Sequence, residues 1–346
     1  MELSIKIKNI ILFGLISMTA MPCILTMQEK EAELGNNIIS TWESGFNPEK
    51  PSHLSKLPIE LITKIIDNGI SQIKADYDSL LSAIQMGNYN KLKELLEKPH
   101  IDANMPLNRD GDIPLMIAVR MIGMTGKNGV RIVNLLFDHN ANPNKQNNRG
   151  YTALIYAVLD HLNIEIVKLL LDHNADSNIQ DKNGSTALIY EAQDFEPNIE
   201  ILKLLLDYDA NPNIQNNLGH TALIYAVENN LKHVLKSTLN MWSMVNIQDN
   251  KEDTDQTTVG ILLHYGANTN IQDNQGMTPL MHAVKKGLPE TIKPLLDYGA
   301  DIYKQDNQGM TALDLAQNRN HQTIIDLLIK AKEKADNSSN VGTSGS

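Results

Sequence analysis

The stretch Asn148–Asp181, NRGYTALIYAVLDHLNIEIVKLLLDHNADSNIQD, decides the reading of this chain. It opens on the turn signal Asn148-Arg149-Gly150 and passes through Thr152-Ala153-Leu154 into an apolar run. A second helical run follows, from Ile164 to Leu171, and the stretch closes on Asn174-Ala175-Asp176-Ser177-Asn178-Ile179-Gln180. It then recurs. Gln180 has counterparts at Gln146, Gln215, Gln248, Gln272 and Gln305, with spacings of 34, 35, 33, 24 and 33. The turn glycines Gly111, Gly150, Gly184, Gly219, Gly276 and Gly309 are spaced 39, 34, 35, 57 and 33 apart. A period near 33 with one turn and two helices per unit marks a solenoid, because each unit can bury its apolar face only by stacking on its neighbours.

These residues resemble the ankyrin repeat: a turn glycine, then T-P-L-H-x-A, then a leucine-rich second helix ending in G-A-D/N. The fullest matches are Thr278-Pro279-Leu280-Met281-His282-Ala283 and Leu295-Leu296-Asp297-Tyr298-Gly299-Ala300-Asp301. Weaker copies begin at Thr152-Ala153-Leu154, Thr186-Ala187-Leu188, Thr221-Ala222-Leu223 and Thr311-Ala312-Leu313. The resemblance covers about three quarters of the chain. It implies an all-α solenoid of helix-turn-helix units with projecting turns. The copies depart from the pattern in lacking His directly after Leu, and Pro is often Ala. That puts the usual histidine tie between repeats in doubt, but not the fold.

Composition narrows the function. At 346 residues the length alone suggests two ordinary domains, but a solenoid is not limited by one core. The chain is 42% hydrophobic and only 5% aromatic, so its core is expected to be Leu, Ile, Val and Ala. The net charge of −11 argues against nucleic acid, whose phosphates need a basic face, and against an anionic membrane surface. It reads as solubility. The single cysteine, Cys23, allows neither an intrachain disulfide nor a cysteine zinc site.

Taken in order, residues 1–27 read as a secretory signal, with Lys6 and Lys8 before the apolar run Ile10–Ala20. An uncleaved anchor is the alternative, and Pro22 disfavours a lipidated Cys23. Residues 28–56 read as a linker. Residues 57–75 hold a short helix started by Pro58 and ended at Gly69, with Leu61, Ile62, Ile65 and Ile66 in one apolar stripe. This stretch is expected to cap the first repeat. It also resembles the opening of an F-box, L-P-x-E-L-x-x-x-I-I, which would make it an adaptor-docking helix. Repeats are placed at about 76–108, 109–147, 148–181, 182–216, 217–273, 274–306 and 307–330, and residues 331–346 are expected to be a disordered tail.

Three irregularities stand out. The repeat at 217–273 carries an excess of 24 residues at about 231–254, read as a decayed repeat now serving as an insertion, with an inserted binding loop as the alternative. Glu191 stands where other copies have Ala157, Ala226 and Ala283, so the helix is expected to rotate or the side chain to reach water. His139 and His173 are one repeat apart and are continued by Tyr208, Tyr265 and Tyr298. They read as a stacked polar-aromatic ladder and not as a metal site. Asp172, Asp207 and Asp297 supply one carboxylate per repeat, not a calcium cluster.

No nucleophile–base pair and no phosphate loop is seen, so no catalytic residue, metal or cofactor is assigned. The leading function is non-catalytic protein–protein interaction by a monomer, with no nucleic acid and no membrane after signal removal. By resemblance, partner contact falls to Arg149, Tyr151, Lys182, Ser185, Leu218, His220, Gln275, Met277, Gln308 and Met310, which flank the turn glycines. Trp242, in the insertion, is added as an aromatic anchor. A signal with such repeats looks like a secreted effector of a host-associated bacterium. A periplasmic or surface scaffold, a ubiquitin-ligase adaptor, and an enzyme subunit or inhibitor are the alternatives.

Overall fold

The computed structural model describes residues 59–122, 127–160, 164–229 and 257–341. The signal at 1–27, the linker at 28–56, the insertion at 231–254 and Trp242 lie outside the described residues. Every regular element among the described residues is helical, which makes the chain an all-α repeat solenoid. No described helix is long and apolar enough to cross a membrane. The chain divides into two compact units, 1–149 and 150–346.

The first unit holds α1 (Ile59–Gln85), α2 (Tyr89–Leu96), α3 (Pro114–Arg120) and α4 (Lys127–Asp138). α1 packs on α2 and α3, and α4 packs on α2 and α3. Leu80, Ile84, Leu92, Leu95, Leu115, Met116, Ile132 and Leu136 fill the space between them. Gly69 does not end the first helix. α1 runs on unbroken to Gln85, so the expected cap and the first helix of the first repeat are one rod. One glycine costs a helix only about 1 kcal/mol, and the flanking residues carry no proline to stop propagation. The side chains of Leu61, Ile62, Ile65 and Ile66 lie outside the described residues.

The second unit holds α5 (Ala153–Leu159), α6 (Ile164–Asp172), α7 (Ala187–Gln193), α8 (Ile199–Asp207), α9 (helical over 222–229) and α10 (Thr258–His264). It continues with α11 (Pro279–Lys286), α12 (Pro289–Asp297), α13 (Ala312–Asn318) and α14 (Gln322–Val341). First helices stack on first helices, α5 on α7 and α11 on α13. Second helices form a parallel layer, α6 on α8, α8 on α10, α10 on α12 and α12 on α14. Buried Leu, Ile, Val and Ala dominate this core, as composition requires.

Each first helix of the second unit starts at a threonine for a common reason. Thr152, Thr186, Thr221, Thr278 and Thr311 accept from the backbone N–H three residues on, a donor the helix leaves unpaired. In the last repeat Asp314 returns the favour, accepting from Thr311 N at 2.9 Å and from its hydroxyl at 2.6 Å. Thr186→Ala is therefore expected to cost about 1 kcal/mol, read as a lower denaturation midpoint at unchanged slope. An unchanged midpoint would remove the cap from the account of this helix.

The tail also differs from expectation. Residues 331–341 continue α14 to Val341, and Tyr303 Oη donates to Asp336 Oδ1 at 2.6 Å. The segment Lys330-Ala331-Lys332-Glu333-Lys334-Ala335 contains only good helix formers, and the first later glycine is Gly342.

Candidate functional site

The surface with most repeat-to-repeat order is the row of turns. Asp181 Oδ1 accepts from Asn183 N at 2.9 Å and Ser185 N at 2.7 Å. Asn216, Asp273 and Asp306 do the same in their own turns. This closes each finger and places the glycine at positive φ, +74° at Gly184 and +76° at Gly276.

Adjacent fingers are then bonded to each other. Asn217 N donates to Asn183 O at 2.9 Å, Asn274 N to Leu218 O at 3.2 Å, and Asn307 N to Gln275 O at 3.0 Å. The recurrent glutamine has a matching task. Gln180 Nε2 donates to its own Gly184 O and to Gln215 O in the next repeat, and Gln215 and Gln272 repeat the pattern. Gln215 pairs with Gln272 O, and the turn at 216–219 meets the turn at 273–276 directly.

Sequence comparison agrees with the ladder. Residues 80–181, 121–216, 163–249 and 250–340 each match the three-copy unit of ankyrin repeats. The chain is an ankyrin-repeat protein. No curated protein matches it.

The ankyrin frame sorts the candidate contact residues. Arg149, Lys182, Leu218, Gln275 and Gln308 are exposed at the finger tips, Leu218 by 58%. In the first unit Arg149 Nη2 lies 3.6 Å from Asp110 Oδ1. Tyr151, His220 and Met310, just after their glycines, are half-buried. Ser185 and Met277 are buried, at 4% and 5% exposure, and offer no contact surface. The residue after the glycine turns back toward the first helix, while the residue before it faces water. Resemblance alone does not resolve that one-residue difference.

Glu191 corrects a second expectation. Its helix does not rotate and its side chain does not reach water: the residue is 3% exposed. Oε1 accepts the backbone N–H of Asn198 at 2.5 Å, so the carboxylate satisfies the residue that caps α8. Burial pushes its carboxyl up to about 7, with Asp194 adding to the rise and the Asn198 N–H opposing it.

The polar-aromatic ladder is present in part. Tyr208 Oη donates to Asp172, and Tyr265 Oη to Asp207 at 2.5 Å, each crossing to the preceding repeat. His139 and His173 each pair Nδ1 with a carbonyl of their own helix, Leu135 O and Leu169 O, both at 2.9 Å.

The sequence did not reveal one further cluster. His282 Nε2 lies 2.8 Å from Asp273 Oδ2, and His220 Nε2 lies 3.4 Å from the same oxygen. His282 Nδ1 lies 3.2 Å from Glu228 Oε1, yet neither it nor His220 Nδ1 has an aligned hydrogen-bond partner. The His220 and His282 rings meet edge to face at 5.5 Å. Burial holds the His220 imidazole below its ordinary value, opposed by the charge of Glu228. Glu228 is held below the usual carboxylate range, first by His282, with Lys286 contributing. Two histidines 62 positions apart carry no local spacing signal, and only stacking across the insertion brings them together.

Proposed function

We propose that this chain is a non-catalytic scaffold that binds a protein partner along the finger tips of its second unit. Ankyrin repeats are generally protein–protein interaction modules, and that supports the class. The observation that carries the finer reading is the bonded row of turns. Consecutive fingers are locked backbone to backbone, while Lys182, Leu218, Gln275 and Gln308 stay exposed. A rigid row loses little entropy on binding, and an exposed leucine among polar neighbours is a candidate anchor.

The test is a fourfold variant, Lys182→Ala, Leu218→Ala, Gln275→Ala and Gln308→Ala, against a control changed at Glu200 and Lys203 on α8. Both should melt close to the parent. Capture of the partner should fall by more than about tenfold in the first and persist in the second. Equal capture by both would move the contact surface elsewhere.

The export reading belongs to the same proposal. The basic pair Lys6 and Lys8 ahead of Ile10–Ala20 supports a signal, and with it a secreted or periplasmic protein. The mature N-terminus is then expected at about residues 20–28, measurable by intact mass. A retained Met1 would favour the anchored alternative. For residues 57–70, the unbroken run of α1 into the first repeat supports a cap over an adaptor-docking helix.

A further inference from the structure

We propose that His220, Asp273 and His282 bind a divalent transition-metal cation, zinc by donor set, with Glu228 as the outer partner of His282. The argument begins with what the repeat itself requires. Tyr190 Oη donates to Asp181 Oδ2 at 2.7 Å, and Tyr225 Oη pairs with Asn216 Nδ2 at 2.9 Å. The contact of His282 with Asp273 is the same contact one step on. An imidazole is therefore not needed there for the fold. What sets this step apart is a second imidazole on the same carboxylate and a second carboxylate on the far side of His282.

The protonation pattern points to a cation. If His282 Nε2–H donates to Asp273, then Nδ1 presents a lone pair to the Glu228 carboxylate 3.2 Å away, in a residue only 3% exposed. That arrangement is repulsive and leaves a buried polar atom unsatisfied. A metal on Nε2 reverses it. The proton then sits on Nδ1 and points at Glu228, the carboxylate–histidine–metal relay that orients metal-bound imidazoles. With both histidines neutral the four groups carry two negative charges, which one divalent cation cancels.

The geometry is close to what zinc needs. The three donor atoms lie within 4.8 Å of one another. Bonds of about 2.0–2.1 Å in a tetrahedron put donors roughly 3.4 Å apart, so modest side-chain adjustment suffices. Two imidazole nitrogens and one carboxylate oxygen suit zinc and not calcium or magnesium, which take oxygen shells. Three protein donors leave the fourth position to water. The site would staple the repeat of α9 to that of α11, the two that flank the insertion.

The test uses the full chain without a histidine tag, stripped with chelator and titrated with ZnCl2 by calorimetry. One equivalent should bind, the Tm should rise, and Co2+ should give the d–d absorption of a tetrahedral site. Two variants borrow residues that the fold already accepts at these positions: His282→Tyr, as at Tyr190, and His220→Ser, as at Ser185. Each should melt near the stripped parent yet lose zinc affinity by more than the roughly 10–100-fold that an outer-shell loss costs, and Glu228→Gln should show that smaller loss. No zinc uptake by the parent would overturn the proposal. Undiminished uptake by both histidine variants would overturn it equally, by placing the zinc elsewhere.

Discussion

Raising the pH from about 4.5 to above 7 is expected to weaken the second unit by about 3 kcal/mol through Glu191 alone, and Glu191→Gln should remove that loss. The ordinary value of 4.5 applies in the unfolded chain, and burial raises it to about 7 in the fold. A raised carboxyl means that the folded state holds its proton more tightly. Its contribution is fully present below 4.5, declines as the pH rises, and is gone once the pH has passed through 7. Each pH unit between the two values is worth about 1.4 kcal/mol. The neighbouring charge is Asp194, on the same side of the balance. His220 works in the opposite sense. Its lowered value favours the fold as the pH rises through its titration, so the parent's profile alone is a sum. Asp76 and Asp314 are held below 3.8 and act only at lower pH. The informative quantity is the difference between parent and Glu191→Gln in urea at a series of pH values. Glutamine keeps a carbonyl to accept the Asn198 N–H and cannot ionise, so the variant should be the more stable protein above pH 7. Parallel profiles would mean that Glu191 is solvated and ionised as in water.

The fold was legible because its determinants are local and repeated. Turn glycines, the threonine that starts each first helix of the second unit and the leucine-rich second run recur in register, and successive fingers of that unit supply the same bonds to the next. Asn217, Asn274 and Asn307 each donate to the preceding finger, whatever the side chains at its tip. What was not legible depends on competition or on stacking. Gly69 looked like a stop because glycine often ends helices, but nothing after it breaks the helix before Gln85. Glu191 looked intolerable at an alanine site, yet a backbone N–H that needed an acceptor was waiting there. Ser185 and Met277 looked like finger-tip residues because they border a glycine, but they sit on its buried side. The cluster of His220, Asp273, His282 and Glu228 takes its members from two repeats separated by an insertion, so no spacing in the sequence announces it.

The second large effect concerns the fingers themselves. Gly276→Ala is expected to destabilise far more than Gly309→Ala, although the two glycines share a backbone shape, with φ of +76° and +77°. An alanine at positive φ costs about 1–2 kcal/mol from its own sterics, and that cost is common to both. The surroundings differ. A Cβ on Gly276 would lie 2.5 Å from Asn307 Oδ1, 2.7 Å from Asn307 N and 3.0 Å from Asp306 C. A Cβ on Gly309 meets nothing within 4 Å. Two of these three atoms at Gly276 are backbone, and they cannot swing aside alone. Asn307 N donates to Gln275 O and its side-chain amide to Asn274 O, both at 3.0 Å, so making room breaks the bonds that join these two fingers. Crowding of this kind adds roughly 1–3 kcal/mol to the strain. Gly309→Ala should therefore lower stability by about 1–2 kcal/mol, and Gly276→Ala by about 2–5 kcal/mol. Because neighbours in a solenoid support each other, the loss at Gly276 should also raise amide exchange in the turn at 306–309. Equilibrium urea denaturation of the two variants decides the matter. Equal losses would show that the fingers do not press on one another and that each turn glycine answers only to its own φ.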